Sequence, residues 1–165
     1  MANTTETGTT TFLTPSDVES TSIRVVEAPR QLVWDVWTRP EHVRRWLLGY
    51  EGWTMTVCEI DLRPGGAWRY AWEHPEQGVL EMKGVYVEVS PPERLVNTES
   101  WGEEWPETTN TLVLTEEDGK TTITLTVRYP SKEARDQALA TGANDGMNES
   151  YGHLEALLRS LHEKG

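Results

Sequence analysis

Hydrophobic residues recur with two different periods along the chain, and the change of period predicts which segments are helices and which are strands. Residues 131–164 carry apolar side chains at a helical period of about 3.6. Pro130 precedes this segment and Ser131 is available as its N-cap. The pattern predicts one long C-terminal helix.

Small residues occupy the middle of the apolar face of this helix. Gly142 and Gly146 lie one turn apart, and Ser150 continues the same face. Each glycine costs a helix about 1 kcal/mol relative to alanine. Three interpretations remain open: close backbone contact with a neighbouring element, a break into two helices at Gly142, or a face that roofs a cavity.

Alternation with a period of two predicts the strands. A β-branched segment, residues 21–27, fits a first strand. Further strands are predicted at residues 53–62, 67–73, 79–89, 94–101, 109–115 and 121–129. Within residues 79–89 the apolar parity switches at Gly84, which is typical of a β-bulge. Pro29 and Pro40 each open a short predicted helix between the first strand and the others.

These elements predict an α+β fold. A single antiparallel sheet of about seven strands has one apolar face to cover, and only the last helix is long enough to cover it. We therefore expect the sheet to curl around that helix, with two short helices after the first strand. Residues 20–165 are expected to form one domain. Residues 1–19 are Thr-rich and nearly free of apolar side chains, so we expect a disordered tail.

The composition of the chain excludes some classes of binding partner and indicates others. The 165 residues carry a net charge of −12, which argues against nucleic acid and anionic membranes as partners. Neither a transmembrane segment nor a signal peptide is predicted, and the single cysteine, Cys58, is compatible with a reducing cytoplasm. Eight tryptophans against one phenylalanine suit either an aromatic core or an aromatic-lined pocket.

The chain offers few candidates for catalysis. Its four histidines show no metal-ligand spacing, and phosphate loops and dinucleotide fingerprints are absent, so no metal and no cofactor are predicted. Glu99 shares a strand parity with Asn97 and Trp101, and is a candidate hydrogen-bond acceptor or general base in a pocket. No nucleophile–base spacing supports an enzyme, although that class stays open.

Two tryptophans occupy a glycine- and acid-rich connection, where large apolar groups are normally avoided. Trp101 and Trp105 fall within residues 99–110. Either both rings fold back onto the core, or they form a mobile lip at a cavity mouth and contact a ligand.

Four stretches in order carry a family resemblance: APRQLVWDVWTRPEHVRRWLLG, CEIDLRPGGAWRY, MKGVYVEVSPPERLV and ATGANDGMNESYGHLEALL. Together they resemble the activator-of-heat-shock-ATPase-like family of the START-like (SRPBCC), helix-grip superfamily. The resemblance covers about residues 22–161 and implies a hydrophobic cavity under the C-terminal helix. Similar chains include a co-chaperone module, bacterial proteins of unknown role, and self-resistance proteins that capture enediyne antibiotics, so the fold alone does not decide the function.

We therefore predict non-catalytic binding of a small hydrophobic or aromatic molecule in that cavity, with natural-product self-resistance as its most concrete form. The predicted ligand-binding residues are Trp68, Tyr70, Trp72, Met82, Glu99, Trp101, Gly142, Gly146, Met147, Ser150 and Tyr151.

Two alternatives stay open. One is a co-chaperone-like module that binds a protein partner, although the first twenty residues are too short to be the additional N-terminal domain of the family's co-chaperones. The other is a cyclase or hydrolase that uses Glu99, Tyr70 or His153 as an acid or base.

Overall fold

The computed structural model describes residues 9–47, 52–102 and 105–164. Within them the chain forms eight strands and four helices. In chain order these are β1 (Thr10–Ser16), β2 (Glu19–Val26), α1 (Arg30–Thr38), α2 (Pro40–Trp46), β3 (Thr54–Ile60), β4 (Ala67–His74), β5 (Gly78–Ser90), β6 (Arg94–Glu99), β7 (Thr108–Glu117), β8 (Lys120–Arg128), α3 (Lys132–Ala140) and α4 (Ala143–Lys164).

All eight of these strands belong to one antiparallel sheet with the order β1-β2-β8-β7-β6-β5-β4-β3. The long strand β5 pairs with β4 along residues 78–85 and with β6 along residues 86–90. One strand thus carries the sheet around a bend, so that its concave face can enclose a helix. This arrangement confirms the predicted α+β, helix-grip class.

The core lies between the concave face of the sheet and the C-terminal half of α4. Tyr151, Leu154, Leu157 and Leu158 are buried on that half of the helix. They pack with buried residues of the short helices and of the central strands, which include Val33, Val36, Val43, Trp46, Leu112, Leu114 and Ile123. None of the helices in the described part of the chain is long and apolar enough to cross a membrane.

An ion pair joins α4 to the sheet. Arg24 of β2 donates from Nε to Glu155 Oε1 of α4 at 2.5 Å, and their side chains are only 6% and 15% exposed. The guanidinium also lies 5.7 Å from the centre of the Tyr151 ring. A charged pair this deeply placed favours one position of the helix on the sheet.

The Thr-rich segment at the N-terminus differs from the expectation. Residues 10–16 are not a disordered tail; they form β1, which pairs with β2 from Thr10↔Arg24 to Leu13↔Thr21. Threonine is β-branched and suits an edge strand even where few apolar residues are available. The sheet therefore has eight strands rather than about seven. Residues 1–8 of the predicted tail lie outside the described residues.

The predicted single C-terminal helix is two helices, and the break at Gly142 is the observed alternative. The predicted N-cap is confirmed, because the Ser131 hydroxyl accepts a hydrogen bond from the Ala134 amide at 3.1 Å. Gly142 has φ +87° between α3 and α4. This left-handed conformation favours glycine, so Gly142 serves the break and does not act as an interior helix residue.

The predicted parity switch at Gly84 is wrong. Pairing with β4 continues in register as far as Ala67↔Val85, and the irregularity lies between Tyr86 and Glu88 in the pairing with β6. Val85 and Val87, the apolar residues after the expected switch, are 43% and 57% exposed. Gly84 is required for another reason: a Cβ atom there would overlap the carbonyl oxygen of Thr98 on β6.

Candidate ligand-binding site

A cavity of about 480 Å³ lies between the concave face of the sheet, α3 and the first turns of α4. It begins where the core described above ends. The large side chains of α4 fill the space under its C-terminal half, whereas the space under its N-terminal half stays open.

Small side chains make up much of the roof of this cavity. Ala134 and Ala138 of α3 line it together with Gly146 and Ser150 of α4, and the larger side chains Leu139, Met147 and Glu149 complete it. Small residues on both helices leave volume between the roof and the sheet. The break at Gly142 matters here because it places α3, as well as α4, over the cavity.

The floor comes from the strands. Leu125 and Val127 of β8 alternate toward the cavity, and Tyr129, which directly follows the strand, also lines it. Trp72 of β4 and Met82 of β5 continue the apolar surface on the other side of the bend. Trp72 is held in place because its Nε1 donates to the Leu47 carbonyl at 3.0 Å.

Two tryptophans border the mouth. Trp101 and Trp105 line the cavity and remain 39% and 37% exposed. The Trp101 ring stacks on Trp72, with centroids 6.0 Å apart and planes 7° from parallel. The rings therefore reach from the cavity to solvent.

Glu99 places a carboxyl group on the lining. Its Oε2 accepts from Trp101 Nε1 at 2.6 Å, and its Oε1 accepts from Asn110 Nδ2 at 2.6 Å. Thr108 Oγ1 in turn donates to Asn110 Oδ1 at 3.2 Å, so the amide of Asn110 is oriented with its donor toward Glu99. Burial raises the pKa of the Glu99 carboxyl above its ordinary value, and the two hydrogen bonds offset part of that rise.

Seven of the eleven predicted site residues line this cavity. They are Trp72, Met82, Glu99, Trp101, Gly146, Met147 and Ser150.

The other four predicted residues lie elsewhere. Trp68 and Tyr70 line a smaller recess of about 100 Å³, which shares Met82 and Glu99 with the main cavity. Tyr151 is fully buried in the core, with its hydroxyl 3.1 Å from Ser22 Oγ. Gly142 is not part of either lining.

The sequence reasoning missed Phe12 of β1 and the lining residues of α3. Phe12 was not proposed as a lining residue because its segment was expected to be a disordered tail. Ala134 and Ala138 were missed because the helix was expected to be continuous and only its residues from Gly142 onward were proposed as lining. The Thr-rich β-branched composition and the glycine at the break are the signals that could have found them.

The described residues offer little for acid–base, nucleophilic or metal chemistry apart from Glu99. Within residues 9–47, 52–102 and 105–164 no group of three His, Cys, Asp or Glu side chains could hold a metal ion. Burial raises the pKa of the Cys58 thiol and raises that of Tyr70 well above its ordinary value, which disfavours a thiolate nucleophile and a phenolate base.

An antiparallel sheet bent around a long C-terminal helix, with two short helices after an N-terminal strand and a cavity beside the helix, defines the START-like, helix-grip class of domains. The chain belongs to the family described as activator of Hsp90 ATPase homolog 1-like proteins, which matches residues 27–159.

Solved structures agree with this assignment. A protein from Rhodobacter sphaeroides is 30% identical, with a TM-score of 0.86 over 93% of this chain and 99% of its own. A protein from Staphylococcus epidermidis is 27% identical, with a TM-score of 0.79 over 91% of this chain and 94% of its own. An AHSA1-like protein from Aeromonas hydrophila, at 20% identity and a TM-score of 0.66 over 83% and 93% of the two chains, shares the fold. No curated protein matches the chain significantly.

Proposed function

We propose that this domain binds a small, mostly apolar or aromatic molecule in the cavity under α3 and α4. The observation that carries the proposal is the cavity itself: about 480 Å³ of space whose lining is mainly apolar, with polar groups that include the hydrogen-bonded Glu99, Asn110 and Thr108. Ligand sites typically have volumes of about 300–1,000 Å³ and just this combination of apolar walls and few polar groups.

Burial of apolar surface would drive binding. Each Å² of apolar ligand surface removed from water contributes about 25 cal/mol, from which the entropic costs of association are subtracted. The stacked pair of Trp72 and Trp101 offers a flat aromatic surface at the mouth. That geometry favours a ligand with a planar ring over a purely aliphatic one.

We further propose sequestration without turnover, as in natural-product self-resistance. Support comes from the lining of the cavity in the described residues, which holds no cysteine, no histidine and no basic side chain beside a hydroxyl group. A nucleophile without such a neighbour is weakly activated.

One observation favours a second candidate, catalysis by Glu99. A carboxyl group with a raised pKa in a cavity is a possible general base. Turnover of a bound aromatic ester or ketone that is lost in Glu99→Gln would support this candidate and contradict sequestration.

The family description supports a third candidate, an interaction with Hsp90. It is tested by adding the purified protein to Hsp90 and measuring ATP hydrolysis. A concentration-dependent rise in rate would support a co-chaperone role.

Native mass spectrometry tests the proposed ligand directly. The protein is purified without detergent, and its mass is measured under native and denaturing conditions. We expect an added mass of small-molecule size that is lost on denaturation. A native mass equal to that of the chain, together with no binding of naphthyl probes by calorimetry, would contradict the proposal.

A further inference from the structure

The charged groups on the cavity lining all have one sign. Within the described residues, the lining contains the carboxylates Glu99 and Glu149 and no lysine, arginine or histidine. The net charge of −12 adds a negative field around the whole protein. Among the described lining residues, the only charged groups that a negatively charged ligand would meet carry its own sign.

Glu99 has neutral donors but no cation. Its hydrogen bonds come from the Trp101 indole and the Asn110 amide, both at 2.6 Å. No ion pair of Glu99 occurs in the described part of the chain, whereas Glu155 of α4 is paired with Arg24. A carboxylate has about four lone-pair positions, so each Glu99 oxygen can still accept from a further donor.

The immediate surroundings of this carboxylate are aromatic. The Trp101 indole both donates to Glu99 and stacks on Trp72. The indole directs its N–H edge at the carboxylate, so the aromatic rings offer apolar surface to the body of a ligand whose cationic group approaches the free lone pairs of Glu99.

We propose that the cavity selects molecules that join an aromatic or apolar body to a protonated amine, with the ammonium group bound by Glu99 beside Trp101. The inference rests on the proposed function, since it names the class of ligand for the same cavity. Neutral analogues bind more weakly, and aromatic carboxylates or fatty acids are rejected.

The test uses three probes that share one ring system: naphthylethylamine, naphthylethanol and naphthylacetate. Affinities are measured by calorimetry near pH 7, where an aliphatic amine is protonated. A charge-assisted hydrogen bond is expected to make the amine bind about tenfold or more tightly than the alcohol, with the acetate weakest.

Glu99→Gln is expected to remove most of the difference in affinity between the amine and the alcohol. Glu81→Gln is the matched control, because it removes the same unit of charge from an exposed site outside the cavity lining. It should leave the preference for the amine intact. Raised salt, which screens the surface field, should also leave it intact.

The outcomes separate the two proposals. Equal binding of all three probes, or tighter binding of the acetate, would overturn the inference and leave the proposed function standing. If the preference for the amine survives in Glu99→Gln, or disappears in high salt, it arises from the electrostatic field of the whole protein and not from Glu99. Either result would also overturn the inference. Absence of binding for every probe would contradict the proposed function itself. If Glu99→Gln fails to fold, the order of the three probes on the wild-type protein at low and high salt decides the matter.

Discussion

Among the described residues no cationic side chain pairs with Glu99, and the fold holds its carboxyl group partly away from water. Burial is the largest cause of its raised pKa, and the donors Trp101 and Asn110 only reduce the rise. The folded protein thus holds this proton more tightly than the unfolded chain. A group of this kind contributes most to stability below the ordinary Glu pKa, and its contribution falls as pH rises toward the raised value.

We therefore expect the free energy of unfolding of the wild-type protein, relative to Glu99→Gln, to decrease as pH rises from the ordinary Glu pKa to the raised one. The prediction concerns the slope with pH of the difference in free energy of unfolding between the two proteins. The absolute size of that difference is not predicted, because Gln also loses one of the two hydrogen bonds. Urea unfolding of both proteins from about pH 3 to about pH 7 measures it.

Glu81 provides a control of opposite sign. A hydrogen bond from Arg69 Nε, 2.6 Å away, lowers the pKa of the Glu81 carboxyl. Its contribution is present above the ordinary Glu pKa and is lost as pH falls through the lowered value, so the difference relative to Glu81→Gln should increase with pH. Slopes of the same sign for both variants would contradict the assignment of Glu99 as a carboxyl group without a cationic partner.

The residue scale also shows where sequence reasoning stops. The alternation along the predicted strand at residues 94–101 put Glu99 on the same face as Asn97 and Trp101. In the structure Glu99 and Trp101 line the same cavity. On α4 the same reasoning proposed both Ser150 and Tyr151 as lining. Tyr151 turns into the core and toward Ser22, a contact 129 positions away that no local period reports.

At the scale of elements, β5 and β6 pass so closely that one position has no room for a side chain. Gly84→Ala would bring its methyl group into the carbonyl of Thr98 and to 2.9 Å from Trp68 Nε1. Backbone must shift to relieve this overlap. We expect a loss of about 1–3 kcal/mol in the free energy of unfolding.

Gly152→Ala is the matched control for Gly84→Ala. Gly152 lies within α4, is exposed, and a Cβ atom there would meet nothing within 4 Å. Alanine should raise stability by up to about 1 kcal/mol. Denaturant unfolding of both variants decides the point, and a neutral Gly84→Ala would contradict the close approach of the two strands.

The ion pair that attaches α4 to β2 leads to a second prediction at the scale of elements. Arg24→Met leaves Glu155 as a nearly buried charge without its principal partner, so we expect a loss of about 3–5 kcal/mol. The double variant Arg24→Met/Glu155→Leu removes both charges and should recover most of that loss. Thermal and urea unfolding of the single and double variants measure the coupling. Additive losses would show that the pair does not fix the helix.

Elements whose signals are local were predicted well, and those that depend on tertiary contacts were not. The positions of Pro29 and Pro40 predicted both short helices, and Ser131 predicted the start of α3. The strand β1 forms because β2 offers it an edge, which its own composition does not reveal. The exposure of Val85 and Val87 likewise depends on how β5 bends between two partners.

At the scale of the molecule, the order of elements was enough to predict a sheet bent around a C-terminal helix. Which groups meet in the cavity could not be predicted in the same way. The hydrogen bonds that link Thr108, Asn110 and Glu99 connect the neighbouring strands β6 and β7, and their geometry depends on the register of these strands. Register is set by pairing across the sheet rather than by pattern within one strand.

The central claim is that the space under α3 and α4 receives a ligand, and a paired substitution on one helix tests it most directly. Gly146 lines the cavity, whereas Gly152 is exposed with no neighbour within 4 Å of a Cβ position. Leucine at either site gains helix propensity of nearly 1 kcal/mol. Only leucine at position 146 also occupies cavity volume.

The measurement is a calorimetric titration of naphthylethylamine into wild-type protein, Gly146→Leu and Gly152→Leu, each with its melting curve. We predict that both variants melt at or above the wild-type temperature, and that Gly146→Leu loses most of its affinity while Gly152→Leu keeps it. Unchanged affinity in Gly146→Leu would place the ligand elsewhere. A marked loss of thermal stability in that variant, of the size of overpacking at about 1–3 kcal/mol, would show that the space is closed by packing.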